Sequence, residues 1–472
     1  MSVALIVVIV LSIFLLLVAL EIPIGVCLAG SGGAGIALYQ GIPAMTNVFA
    51  AVPFIASAKY SLFVIPMYVL LGALIANAGI AARIYRSINR MVSWLPGGLA
   101  ATAVVATAVF SGVSGSSAAD VATFGKISVT EMSRYGYNRA YAAAVVAASG
   151  TFAVLIPPSI VLVVYGLVAQ VNIGALLIAG IVPGVVSALA LVLFVVVRGR
   201  IDQRAALVKA PPAEQVAGGA VRAAGGGATV TLAKARTGEV FGPPSKVSDR
   251  ALHDVTGLLY LGVLFAVVMG GIYTGFFTAT EAGAVGAFVA VIIAALTYRS
   301  TGLSLTTVLW RSLRETADVT GMIFLLLIGG AVFTYFVAVT GLAASLTEFI
   351  TDLNIPPGVV VALILLSMIP VGMFLDGLST MLLIVPIAVP VVLALGYDGV
   401  WFGVLVVKMI EIGLLTPPVG INVFIISGLM KIPAESVYRR VAPFIVLDLA
   451  ITAAFFAFPD LVLWLPRLSG NL

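Results

Sequence analysis

The sequence predicts an all-α polytopic membrane protein made of two inverted-topology repeats, each holding a re-entrant helical hairpin and a discontinuous helix. Three observations carry this. Of the 472 residues, 62% are hydrophobic and 9% charged, and the mean hydropathy is +1.21; such a chain suits lipid rather than a single core facing water. Two long apolar stretches, 140–168 and 400–429, each carry a double proline, Pro157-Pro158 and Pro417-Pro418. Most of the basic residues fall into five clusters: Arg83, Arg86 and Arg90; Lys126, Arg134 and Arg139; the segment 198–250; Arg299, Arg311 and Arg314; and Lys431, Arg439 and Arg440. Short basic loops mark the cytoplasmic side, so all of these clusters are expected there.

Taken in order, the elements follow from that constraint. The N-terminal run VALIVVIVLSIFLLLVAL has no basic residues before it and no small-residue cleavage pattern after it, so a retained span is expected over 3–20. Spans over 23–40 and 60–82 then reach the first basic loop. The apolar stretch 98–130 starts from that loop and arrives at the second basic loop on the same side, which requires a re-entrant hairpin. Its turn, FSGVSGSSAAD at 110–120, has the Gly and Ser that suit non-helical backbone at membrane depth. The span 140–168 follows, then 175–197, then a segment whose PPAEQVAGGA and RAAGGGATV read as a flexible cytoplasmic linker over 198–252. The second half repeats the order, with spans at 253–272, 279–297 and 317–339, a hairpin at 356–395, a broken helix at 400–429 and a last span at 441–464. Asp352 and Asp398 flank the stretch 356–395, which contains no Lys or Arg, so it is expected to re-enter from the opposite side with its turn at VGMFLDGLST. The repeats are therefore 1–197 and 253–472.

Each double proline removes two N–H groups. Pro157 and Pro158 leave the carbonyls of Ala153 and Val154 without helical donors, and Pro417 and Pro418 do the same to Gly413 and Leu414. A continuous helix over 140–168 would measure roughly 44 Å at 1.5 Å per residue, against a hydrocarbon core of ~30 Å, so both breaks fall near the midplane. Freed carbonyls opposite hairpin tips suit a cation, and helix N-termini suit an anionic group. The competing expectation is that the prolines only kink their spans for packing. A single cysteine, Cys27, excludes an internal disulfide, and with His253 as the only histidine no Cys/His zinc or haem site can form. The net charge of +5 is explained by orientation in the membrane without a nucleic-acid partner.

GSSAADVATFGK, SGTFAVLIPPSI, FFTATEAGAVGA, GMFLDGLSTMLLIVP and EIGLLTPPVGINVFIISG, in that order, resemble the large membrane subunit of tripartite ATP-independent periplasmic (TRAP) transporters, over nearly the whole chain. The linker is longer than is usual for that family. The resemblance implies a multi-pass protein of the bacterial inner membrane that takes up organic acids by an elevator mechanism, with Na⁺ as coupling ion and no other cofactor. It also implies two partners, a small membrane subunit, expected as a separate chain, and a periplasmic substrate-binding protein. A first Na⁺ site is expected from Ser114, Ser116, Ser117, Ala153, Val154 and Ile156, and a second from Gly372, Thr380, Gly413, Leu414, Thr416 and Val419. Ser117, Ser159, Asp376, Ser379 and Asn422 are the substrate-binding candidates.

Structural roles compete at each position. The serines and threonines of both turns can cap the hairpin helices as well as ligate an ion. Asp376 can cap a helix, and Asn422 can bridge two helices. Glu281 with Thr278 fits a capping box. Lys408 and Glu411, three apart on one helix face, can neutralise each other in the membrane. Two other functions remain open. One is a stand-alone Na⁺/carboxylate symporter. The other is an intramembrane serine protease, suggested by GVSG at 112–115 with Ser114 as nucleophile, for which His253, at the edge of a span, is a poor base.

The charge pattern makes ten crossings plus two hairpins, with both termini periplasmic and 198–252 cytoplasmic. Gly225→Cys and Leu472→Cys, each in a chain carrying Cys27→Ser, are expected to react with a membrane-impermeant thiol reagent from opposite sides. Equal labelling from outside would contradict the inverted repeat.

Overall fold

The computed structural model describes residues 2–92, 94–209, 251–352 and 355–470, and among them the chain is helical with no strand. Of the expected linker, 210–250 lies outside the described residues.

Helix α1 (Val3–Ala19) starts at Ser2, whose hydroxyl accepts the Leu5 N–H. Helices α2 (Ile24–Gln40) and α3 (Ile42–Ser57) join at Gly41, whose φ of +91° suits only glycine. A short 3-10 turn, Tyr60–Phe63, leads into α4 (Val64–Asn77). The sequence places a span over 60–82 followed by a basic loop; instead the loop is helix α5 (Ile80–Val92). Ile80, Ile84 and Ile88, spaced by four, bury one face of α5 and leave Arg90 exposed, an amphipathic pattern that cluster-counting of arginines overlooks.

The first hairpin is α6 (Gly98–Ser114) and α7 (Ser117–Arg134), joined by Gly115 at φ +60° and Ser116. The first broken helix is α8 (Arg139–Gly150), a 3-10 turn Thr151–Val154, and α9 (Ile160–Ala169). Helix α10 (Ile173–Lys209) carries on past residue 197, so the first part of the expected linker is helical. The second half comprises α11 (Ala251–Tyr273), α12 (Ala279–Thr297), α13 (Leu305–Val339) and α14 (Leu342–Asp352). Helix α13 begins well before the expected 317 because Ser304 caps it by accepting the Thr307 N–H, and the helix absorbs Arg311 and Arg314. The second hairpin is α15 (Pro357–Gly372) and α16 (Gly377–Ala394), and the second broken helix is α17 (Gly399–Leu415) and α18 (Ile421–Met430). The last expected span, 441–464, is shifted. It is α19 (Ala434–Ala457), which stops before Pro459 and is followed by the short α20 (Asp460–Leu468).

Among the described residues, seven helices are long and apolar enough to cross a membrane, and the hairpin arms and broken halves include shorter apolar helices. Two packing groups emerge. Helices α1–α5 pack with α11–α14, and α6–α10 pack with α15–α20; α6 against α4 and α5, and α16 against α13 and α14, join the two groups.

The first group centres on the crossing of α2 and α13, where backbones nearly touch. A Cβ built on Gly329 would stand 1.9 Å from the Gly25 carbonyl oxygen, and one on Gly25 would stand 2.5 Å from the Leu325 oxygen. Without a hydrophobic drive between helices in lipid, such close approach of small residues supplies the packing energy. Gly329→Ala should therefore lower the thermal stability of the detergent-solubilised protein by about 1–3 kcal/mol. Gly262→Ala, with nothing within 4 Å of the added carbon, is the control and should not.

Candidate functional site: two hairpin tips against two helix breaks

At the first break the backbone leaves the helix after Val154 and resumes at Ile160, with Pro157-Pro158 in cis between. Ser159 does two jobs there. Its hydroxyl oxygen caps α9 by accepting the Leu162 N–H (3.3 Å), and its proton goes to the Val154 carbonyl at 2.5 Å. The Val154 carbonyl is thus not without a donor, as the proline alone implied; the buried Ser159 supplies one, leaving a second lone pair. Among the described residues no donor reaches the Ala153 carbonyl. Ile156 donates its N–H to Phe152 O (2.8 Å). The break lies against the first hairpin, since a Cβ on Gly112 would stand 3.1 Å from the Pro157 oxygen.

At the first tip, Ser116 caps α7 by accepting the Ala119 N–H. Ser111 and Ser114, at the end of α6, donate their hydroxyls to the two oxygens of Asp120, which is fully buried in the first turn of α7. Those donations point the hydroxyl lone pairs away from the Asp120 carboxyl. Ser117 donates to Asn422 Oδ1 (2.8 Å), and Asn422 Nδ2 donates to Ala147 O (3.3 Å). Two substrate-binding candidates from opposite halves of the sequence are therefore hydrogen-bonded to each other.

At the second tip, Asp376 accepts the N–H groups of Leu378 and Ser379 and also the Ser379 hydroxyl, so these two candidates are engaged in capping α16. Gly372 and Gly413 bring the hairpin and the second break into backbone contact. A Cβ on Gly413 would stand 2.9 Å from Gly372 Cα, and one on Gly372 would stand 3.9 Å from Thr380 Oγ1. The Thr380 hydroxyl is buried there with no hydrogen-bond partner.

The second break, with Pro417-Pro418 also in cis, departs from expectation at three residues. The Gly413 carbonyl accepts the Thr416 N–H (3.1 Å), because the chain turns in before the prolines rather than running straight into them. The Thr416 hydroxyl donates to Ile412 O (2.6 Å). The Val419 carbonyl, with that of Pro418, accepts the Tyr438 hydroxyl from α19. The Leu414 carbonyl has no donor among the described residues. Gly420 N–H donates to Met373 O (3.2 Å), tying break to tip.

Asp120, Ser111 and Tyr438 were absent from the expected site. Asp120 pairs with serines across a turn, at separations that match no helical period. The one available signal was the clustering of Ser111, Ser114 and Asp120 within FSGVSGSSAAD. Tyr438 reaches its carbonyls from another helix, which no local pattern encodes. Away from the breaks, Thr278 and Glu281 form the expected capping box, with Glu281 N–H on Thr278 Oγ1 at 3.3 Å and Thr278 N–H on Glu281 Oε2 at 2.8 Å.

The sequence model of the family described as "Tripartite ATP-independent periplasmic transporter, DctM component" matches residues 11–461. The chain belongs to this family. It is 31% identical over 440 residues to the C4-dicarboxylate TRAP transporter large permease protein DctM of Pseudomonas aeruginosa, covering 93% of each chain. It is likewise 31% identical over 413 residues to the sialic acid TRAP transporter large permease protein SiaM of Vibrio cholerae, covering 87% of each. The YdaH transporter of Alcanivorax borkumensis, described as having an unusual topology, shares the fold with a TM-score of 0.62 at 14% identity over 89% of each chain. As a DctM component, the protein is a multi-pass transporter permease of the bacterial inner membrane and not an enzyme. The GVSG serine accordingly belongs to a hairpin tip, with its hydroxyl on Asp120.

Ser117 and Asn422 are buried, so their bond should register in stability. In a double-mutant cycle of Ser117→Ala and Asn422→Ala, read by thermal unfolding in detergent, a coupling of about 0.5–1.5 kcal/mol is expected. Additive losses would mean that the bond contributes nothing net.

Proposed function

We propose that this DctM component is the membrane permease of a Na⁺-coupled uptake system, in which a periplasmic binding protein delivers an organic acid and a separate small membrane subunit completes the complex. The observation that carries the reading is the Thr380 hydroxyl, buried without a partner where the second hairpin meets the second break. Leaving a hydroxyl unsatisfied costs about 1–3 kcal/mol, which a coordinated cation would offset. Thr380, Gly372, Gly413 and Leu414 make up the core of this cation site, with Thr416 and Val419 at its edge through their backbone carbonyls. The second cation lies at the first tip, with ligands from Ser114, whose hydroxyl Asp120 orients, and from the Ala153 carbonyl, which has no donor among the described residues. Ser116, Ser117, Val154 and Ile156 frame it.

The organic acid fits between the tips, at Ser117, Asn422, Ser159, Asp376 and Ser379. Helix N-termini at Ser117, Ile160 and Gly377 favour a carboxylate there. The two relatives named for C4-dicarboxylates and sialic acid support carboxylate cargo. The two packing groups support an elevator, in which α6–α10 and α15–α20 move as one body against α1–α5 and α11–α14. The units 1–197 and 253–472 act as inverted repeats joined through the linker.

The test is uptake into proteoliposomes holding the chain with its small subunit, with liganded binding protein outside and Na⁺ varied. Uptake should require both Na⁺ and the binding protein. Thr380→Val should raise the Na⁺ concentration for half-maximal uptake by about twofold to tenfold, equivalent to about 0.5–1.5 kcal/mol, while Glu281→Gln at the remote cap should not. Unchanged Na⁺ dependence in Thr380→Val would remove the second ion site. Full uptake of free substrate without the binding protein would make the protein a stand-alone symporter.

A further inference from the structure

Between the two packing groups runs a crevice of about 410 Å³. One wall is α6 and α10, the other is α11, and every lining side chain is apolar. Its deep end lies behind the first break. A Cβ on Gly184 would stand 2.8 Å from the Ile156 side chain, and one on Gly112 would stand 3.3 Å from Ile156 Cγ2 and 3.8 Å from the Phe265 ring. Val185 and Leu189 line the crevice and are 50% and 63% exposed, so it opens sideways. Helices α10 and α11 are both long and apolar enough to cross a membrane, so hydrocarbon lies outside that opening.

Such walls reject most occupants. An ion or a carboxylate finds no side-chain ligand or donor there, and water in so apolar a space lacks the polar partners it needs. A membrane-spanning helix about 10 Å across and ~30 Å long would need roughly 2,400 Å³. The other end of the crevice is basic. Leu258 lines it, and at the adjacent Gly257 a Cβ would stand 3.0 Å from Cβ of Arg83 on α5. The Arg83 guanidinium forms no hydrogen bond or ion pair among the described residues. On α10, Arg200 is exposed and lies roughly three turns beyond Leu189 on the same face. From Val185 to Arg200 the helix rises roughly 22 Å, the depth of one leaflet in a bilayer of ~40–45 Å with its headgroups.

We propose that the crevice holds one acyl chain of a membrane phospholipid, with the chain end against Ile156 and the phosphate between Arg83 and Arg200. In lipid an empty crevice forfeits dispersion contacts along both walls, and an acyl chain restores them. At the surface, guanidinium groups suit the anionic oxygens of a phosphodiester, which they can bind through paired N–H donors. The length from the break to Arg200 lets one molecule satisfy both ends at once. Arg83 belongs to the α1–α5/α11–α14 group and Arg200 to the other, so a single lipid bridges the two groups at their boundary. This inference concerns binding and does not rest on ion coupling.

Photolabelling reads the site without transport. The chain with its small subunit is placed in vesicles of phosphatidylethanolamine and phosphatidylglycerol, with a trace of phosphatidylethanolamine bearing a diazirine at the end of one acyl chain. After illumination, labelling at Val109, Ile156 and Phe265 should exceed by several-fold that at Leu296 on α12 and Val446 on α19, which are exposed apolar residues outside the crevice. Gly262→Phe, built where an added carbon meets nothing within 4 Å, should fill the crevice and bring its labelling down to that of Leu296 and Val446. Arg83→Gln combined with Arg200→Gln should lower crevice labelling several-fold with the phospholipid probe, yet leave it unchanged with a diazirine-bearing alkane that has no headgroup. Crevice labelling no higher than at Leu296 and Val446 would overturn the proposal, as would labelling undiminished by Gly262→Phe or by the double arginine change. Labelling that appears only when the small subunit is omitted would place that subunit in the crevice and overturn it equally.

Discussion

In hydrocarbon there is no water to satisfy a peptide group, so a helix can be broken at membrane depth only where protein supplies the missing partners. That constraint organises the second packing group. Each break is answered by a particular side chain or turn: Ser159 on the Val154 carbonyl, Tyr438 on the Pro418 and Val419 carbonyls, and Met373 O on the Gly420 N–H. The hairpins are there because the breaks need neighbours, and the breaks are placed where the hairpins can reach. At the meeting points of tip and break, the Thr380 hydroxyl and the Ala153 and Leu414 carbonyls are left without a donor or acceptor partner among the described residues.

The first packing group is governed by the opposite economy. Its backbone is satisfied internally by long helices, and its cohesion rests on how near α2 and α13 approach through Gly25, Gly32 and Gly329. Glycines that would weaken a helix in water are here the surface along which two helices fit. One group is thus held by polar satisfaction around irregular backbone, the other by shape between regular helices. Their shared boundary, α6 on α4 and α5 and α16 on α13 and α14, uses one arm of each hairpin.

The sequence exposes whatever is encoded locally. Hydropathy and the Gly/Ser turns locate both hairpins and both breaks to within a few residues, and Thr278 with Glu281 announces its own cap. Proline arithmetic is less complete, because it counts the N–H groups removed but not the replacements. Thr416 restores a donor to Gly413 from three residues away, and Ser159 restores one to Val154 from five. Arginine clusters misled in another way, since basic residues on one face of α5 and at the start of α13 are compatible with helix when the opposite face is apolar. Pairings such as Ser117 with Asn422, or Lys408 with Asp448, join residues far apart in the chain and become legible only once the helices are assembled.

Asn422 has a consequence beyond its own two bonds. Its amide accepts from α7 on one side and donates to α8 on the other, so three elements drawn from both halves of the chain converge on a single planar group. A planar amide cannot rotate to follow one partner without deserting the other, and no solvent stands by to fill the gap. The group therefore works like a rivet through three plates. Neither α7 nor α8 can shift against the start of α18 without lengthening one of the two bonds, so regions separated by some three hundred residues of sequence are held to one point.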